Sequence, residues 1–142
     1  MMAGFSVDAQ KYKSPADTLK LNKDYAQVSK KIADIRLKIA SAQSDMPQYR
    51  NKASETASDA QSSAQESSNQ AARATDGQVK SAKSAKKKAG KALDEAEDAV
   101  KANKKVEKTE KQIAKLNDDL AKRERQLQEL EDIRTRLRNL PQ

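Results

Sequence analysis

The feature that most constrains this chain is a spacing. From Leu21, the residues Tyr25, Val28, Ile32, Ile35, Ile39, Ala42, Met46, Tyr49 and Ala53 follow at alternating steps of four and three. The second half steps likewise through Ala85, Ala89, Ala92, Ala96 and Ala99. It continues through Val106, Ile113, Leu116, Leu120, Leu127, Leu130 and Leu137. Such a period holds one narrow apolar stripe on one side of an α-helix, the side that meets another helix.

Composition agrees with helices and opposes a thick globular core. Of the 142 residues, 35% are apolar, 35% charged and 3% aromatic, and Gly and Pro number three each. Large aromatic and branched side chains fill a deep core, and here they are too few. So little Gly and Pro also argues against a loop-rich or β-rich fold. Disorder is the rival reading of such polarity, but regular stepping over many turns favours helix.

The punctuation predicts two helices. Ser14 suits an N-cap, Pro15 the first helical position, and Asp17 can reach back as in a capping box. The expected boundaries are a tail over 1–13, a first helix over 14–74 with a kink near Pro47, and a turn over 75–77. A second helix over 78–140 follows, then a tail over 141–142. The turn consists of Thr75, Asp76 and Gly77, where glycine permits a left-handed backbone. Folding the chain about position 76 makes partners sum to about 152. Leu21 then lies near Leu130, Ile32 near Leu120, Ile39 near Ile113 and Met46 near Val106. Alanines meet alanines nearer the turn, as with Ala57 and Ala96, Ala60 and Ala92, or Ala64 and Ala89.

The expected fold is therefore all-α: an extended antiparallel two-helix coiled-coil hairpin with a Leu/Ile-packed base and an Ala-packed tip. One continuous helix in a parallel homodimer is the alternative, since Gly77 costs only about 1 kcal/mol inside a helix. Two consecutive steps of four, Tyr49 to Ala53 to Ala57, predict a stutter that locally unwinds the supercoil. Leu37, Leu93, Val100 and Ile133 lie off the main stripe. They form a candidate second seam for assembly into a four-helix bundle.

The first ten residues carry a compartment clue. Val7 and Ala9 occupy the minus-three and minus-one positions of a cleavage before Gln10. The stretch resembles the back end of a secretory signal peptide, which implies export to the periplasm or cell envelope of a bacterium. A cytoplasmic location is the alternative.

Chemistry-bearing groups are scarce. Histidine and cysteine are both absent, which removes the usual acid–base residue, thiol chemistry and the common zinc sets. Gly4, Gly77 and Gly90 stand alone, so there is no phosphate-binding glycine loop. The serines of 54–68 have no accompanying base and read as a polar helix face. The acidic group Asp94, Glu95, Glu97 and Asp98 reads as solvated surface, since it lacks the turn that wraps a calcium ion. These residues predict no catalysis, no cofactor, no metal and no small-molecule substrate.

The net charge is +8, and its strongest local source is Lys80, Lys83, Lys86, Lys87, Lys88 and Lys91, six lysines without an intervening acid. This candidate anion-binding patch resembles in composition the Lys/Ala tails of linker histones. That resemblance implies salt-sensitive, sequence-independent contact with nucleic acid. In an exported protein the same patch would face anionic envelope lipid. The first expectation is a non-catalytic structural or interaction protein of the bacterial envelope, a spacer, scaffold or adaptor. Its partners would be itself or another helical protein. The alternatives are a cytoplasmic histone-like nucleic-acid binder and a peripheral protein of anionic lipid surfaces.

Overall fold

The computed structural model describes residues 12–74 and 79–140. The expected turn at Thr75, Asp76 and Gly77 and the expected cleavage before Gln10 lie outside the described residues. So do the two C-terminal residues. A 3-10 turn, Pro15–Asp17, leads into α1, Thr18–Ala74, and α2 runs Val79–Arg138. The fold is all-α, with the two long helices packed against each other as a helical hairpin.

Asp17 organises the start of α1. Its carboxylate accepts from the backbone N–H of Lys13 at 2.8 Å and of Ser14 at 3.1 Å. Helix starts leave such donors unpaired, so this reach-back satisfies two of them. The same two donors hold the Asp17 carboxyl below its ordinary range. Further along, α1 continues through Pro47 without a break. Pro47 is exposed beside buried Met46, so the backbone acceptor that loses its donor there lies on the solvent side.

The helices divide into two packing units. The first joins the N-terminal part of α1, up to Ser41, with α2 from Ile113 onward. Its core is Leu21, Val28, Ile32, Leu130, Ile133 and Leu137, with Tyr25, Leu120 and Leu127 packed against it. Ile35 and Ile39 are buried too, and Ile113 and Leu116 are half-buried. These are branched residues at heptad spacing, and burying each contributes about 1.5–3 kcal/mol.

Two residues correct the sequence reading here. Tyr12, assigned to the tail, is a core residue 2% exposed, and its hydroxyl donates to the Asp24 carboxylate. Ile133, assigned to a second seam, is buried in the first. Around this core Tyr25 donates to Glu131 at 2.8 Å, and the Arg134 guanidinium stacks 4.4 Å over the Tyr25 ring. Arg134 also donates to the Asn22 side chain at 2.9 Å. Arg36 and Glu124 form an exposed ion pair at 2.9 Å.

The second unit joins α1 from Ala42 with α2 as far as Gln112. Its seam on α1 runs Met46, Tyr49, Ala53, Thr56, Ala60, Ser63, Ser67, Gln70 and Ala74. Facing it on α2 are Ser81, Ala85, Lys88, Ala92, Glu95, Ala99, Ala102, Val106 and Thr109. Both sets keep alternating steps of four and three throughout. The expected stutter at Ala57 is therefore absent, and Ala57, Ala64, Ala89 and Ala96 are exposed instead of forming the seam. The physical reason is phase: from Met46 and Tyr49 a seven-residue repeat leads to Thr56 and Ser63, and a turn to the alanines would require unwinding.

Polar residues are tolerated in this seam because their hydroxyls are satisfied locally. Thr56 donates to the Lys52 carbonyl and Thr109 to the Lys105 carbonyl, each at 2.8 Å. Ser63, 6% exposed, donates to the Glu95 carboxylate across the seam. The register moves accordingly. Cross-helix partners sum to 154 for Glu66 with Lys88, 156 for Tyr25 with Glu131, 158 for Ser63 with Glu95 and 160 for Arg50 with Glu110, a few residues above the expected 152.

Two outcomes follow for stability. Leu21→Ala empties a fully buried site and should destabilise the chain by about 2–5 kcal/mol, measured by urea denaturation. Burial first, and then the Asp24 contact, push the Tyr12 hydroxyl up to about 12. The fold thus binds that proton more tightly than the unfolded chain, whose tyrosine ionises near 10. Tyr12 should contribute its full stability below about pH 10 and lose it progressively as pH rises towards 12. Tyr12→Phe should flatten this alkaline decline in thermal midpoint.

Candidate functional site

The lysines singled out in the sequence all lie on α2 in the second unit, and the helix separates them. Lys80, Lys83, Lys87 and Lys91 follow at steps of three and four and share an exposed face. Lys86 is exposed on the adjoining side. Lys88 turns into the seam and pairs with Glu66 of α1 at 3.5 Å. Lys91 lies 3.8 Å from Glu95 one turn along. Four of the six lysines therefore present one surface. The facing helix neutralises only Lys88 among the described pairs.

A second basic group was hidden in the sequence by interleaved acids. Lys101, Lys104, Lys105, Lys108 and Lys111 alternate along the chain with Glu107 and Glu110. On the helix the five lysines form one continuous arc that starts beside the seam at Lys105, passes through Lys101 and Lys108 and ends on the outer face at Lys104 and Lys111, whereas Glu107 and Glu110 lie on the other side. Glu110 pairs with Arg50 on the opposite edge at 3.5 Å. Helical phasing of charge, rather than a count of consecutive lysines, is the signal that finds this group.

At the seam end of that basic face lies a groove of about 490 Å3. Gln48, Tyr49, Lys52 and Thr56 line it from α1, and Asp98, Lys101, Ala102 and Lys105 from α2. The hollow exists because bulky Tyr49 is followed by small neighbours. Ala102 supplies only a methyl, and Thr56 turns its hydroxyl back to its own helix. Lys105 lies 5.1 Å from the centre of the Tyr49 ring, within range of a cation–π attraction.

The other edge of the same seam is chemically different. One residue after Thr56, Ser63 and Gln70 of α1 and after Ser81, Lys88 and Glu95 of α2 come Ala57, Ala64 and Ala71 and Ala82, Ala89 and Ala96, all exposed. Leu93 and Val100 extend this edge outward on α2, at 61% and 53% exposure. Glu95 of the acidic group turns to the seam, Asp98 lines the groove, and Asp94 and Glu97 are exposed on the outside of α2. No group of three or more potential metal ligands occurs among the described residues. None of the described helices is long and apolar enough to cross a membrane.

No protein family, no curated protein and no solved structure matches this chain.

Proposed function

We propose that this chain is a non-catalytic structural or interaction protein of the bacterial cell envelope, a spacer, scaffold or adaptor that works through its helical faces. The observation that carries this reading is the alanine edge of the second unit, where Leu93 and Val100 stand largely in solvent. A seam of alanine and satisfied polar groups buries little apolar area, so the two helices gain further stability when another helix covers that edge. Small side chains let such a helix approach closely, and Leu93 and Val100 supply the larger contacts. Self-association is the simplest form of this arrangement. The leader-like Val7 and Ala9 before Gln10 support the envelope as its compartment.

Sedimentation of the full chain tests the reading. The wild-type protein should associate with rising concentration, and Leu93→Lys with Val100→Lys should leave a monomer with unchanged helical circular dichroism. A wild-type monomer at high concentration would remove self-association and leave only a foreign helical partner.

A second reading is sequence-independent nucleic-acid binding, favoured by the shared exposed face of Lys80, Lys83, Lys87 and Lys91. Phosphate contacts of this kind release counterions, so affinity falls steeply with salt. A gel shift with random duplex should show binding at low salt that weakens at physiological salt and disappears in a variant with all four lysines changed to Gln. Absence of a shift at low salt excludes this reading.

A further inference from the structure

The groove beside Tyr49 departs from the ordinary chemistry of a coiled-coil edge. Residues flanking a seam usually face opposite charges, as Arg50 and Glu110 do on the alanine side. On the groove side the register sets Lys52 of α1 across from Lys105 of α2, and both line the same hollow with Lys101. A glutamate in place of either would convert repulsion into an ion pair. Among the described residues no carboxylate lies within ion-pair distance of Lys52, Lys101 or Lys105. Lys105 rests over the Tyr49 ring instead. Three lysines and one carboxylate, Asp98, thus line the same hollow.

We propose that this groove binds a compact oxyanion with at least two negative charges, of the phosphate-monoester class. Lysine suits phosphate as a point charge that needs no fixed planar geometry. Such a ligand held by the three lysines offsets their like charge. Its compactness follows from the neighbouring turns of α2. Asp94 and Glu97 are exposed on the turn beyond the groove, and a long polyanion laid along the helix would meet them. This site is distinct from the alanine edge and from the Lys80–Lys91 face, so it stands whether or not those readings hold.

The test uses the full chain and inorganic phosphate at about pH 8, above the second ionisation of a phosphate group. Backbone NMR shifts should saturate around Tyr49, Lys52, Lys101 and Lys105. The variant with Lys52, Lys101 and Lys105 all changed to Gln should bind at least about tenfold more weakly, since it loses three charge-assisted contacts. Changing Lys80, Lys83 and Lys87 to Gln should alter the affinity by less than about twofold, as exposed charges a Debye length away are screened. A parallel arm floats the protein with phosphatidylcholine vesicles with and without phosphatidic acid. Retention that requires both phosphatidic acid and the three lysines assigns the phosphate to a lipid headgroup. Saturable binding of phosphate without retention assigns it to a soluble ester.

Thermal melting supplies a readout that a merely structural role would not give. In phosphate-free buffer Lys52→Gln should raise the midpoint by relieving repulsion, whereas phosphate should raise the wild-type midpoint and leave the triple variant unmoved. The proposal is overturned if neither probe depends on the three lysines, if the Lys80, Lys83 and Lys87 control weakens binding as much, or if Lys52→Gln lowers the midpoint.

Discussion

Everything in this molecule depends on rotational phase. A residue seven positions along an α-helix returns to nearly the same side, so a strict four-three stepping decides which side chains face the neighbouring helix before their chemistry is consulted. In the first unit the phased positions hold leucine, isoleucine and valine, and the expected dry core results. In the second unit the same stepping delivers serine, threonine, glutamine, lysine and glutamate to the seam. The helix keeps its geometry, and its most buried hydroxyls find partners: Thr56 and Thr109 bond back to their own turn and Ser63 across to Glu95. A buried hydroxyl with a partner is tolerated, whereas one without would cost about 1–3 kcal/mol.

Phase also sorts the charges. The chain mixes lysine and glutamate so evenly that much of it reads as a solvated surface. Once wound, the acids of 101–111 separate from the lysines, and the two edges of one seam acquire opposite characters. One edge is lined mainly by alanines, with the Arg50–Glu110 pair at one end and two large apolar residues standing out of it. The other gathers cations around a hollow. Exposed pairs such as Arg50 with Glu110 add little to stability, so the edges matter more for what approaches them than for holding the helices together.

How far the structure was legible in the sequence varied with the strength of the apolar signal. Leu21, Val28, Ile32, Ile35 and Ile39 are bulky and evenly spaced, so their side of α1 could be read directly, and with it the class of fold. Past Tyr49 the only apolar residues of α1 are alanines, and following them suggests a stutter at Ala57. Alanine is indifferent between seam and surface because burying a methyl releases little free energy. Tyr12 was invisible as a core residue because it precedes the helix and obeys no helical period; only the folded approach to Leu21 and Leu130 buries it. The lysine patch was legible as composition but not as a surface, since adjacent lysines point to different sides. The groove had no sequence signature at all. It comes from the register, which no single helix contains.

The Ser63 to Glu95 contact has a wider implication. A seam joined by hydroxyls, methyls and a carboxylate can separate by trading each bond for one to water, at small net expense. A seam of isoleucine and leucine has no such exchange available. Breathing of the paired helices should therefore concentrate where the side chains are polar, and that stretch is where a visiting helix can most easily slip in beside one of its own.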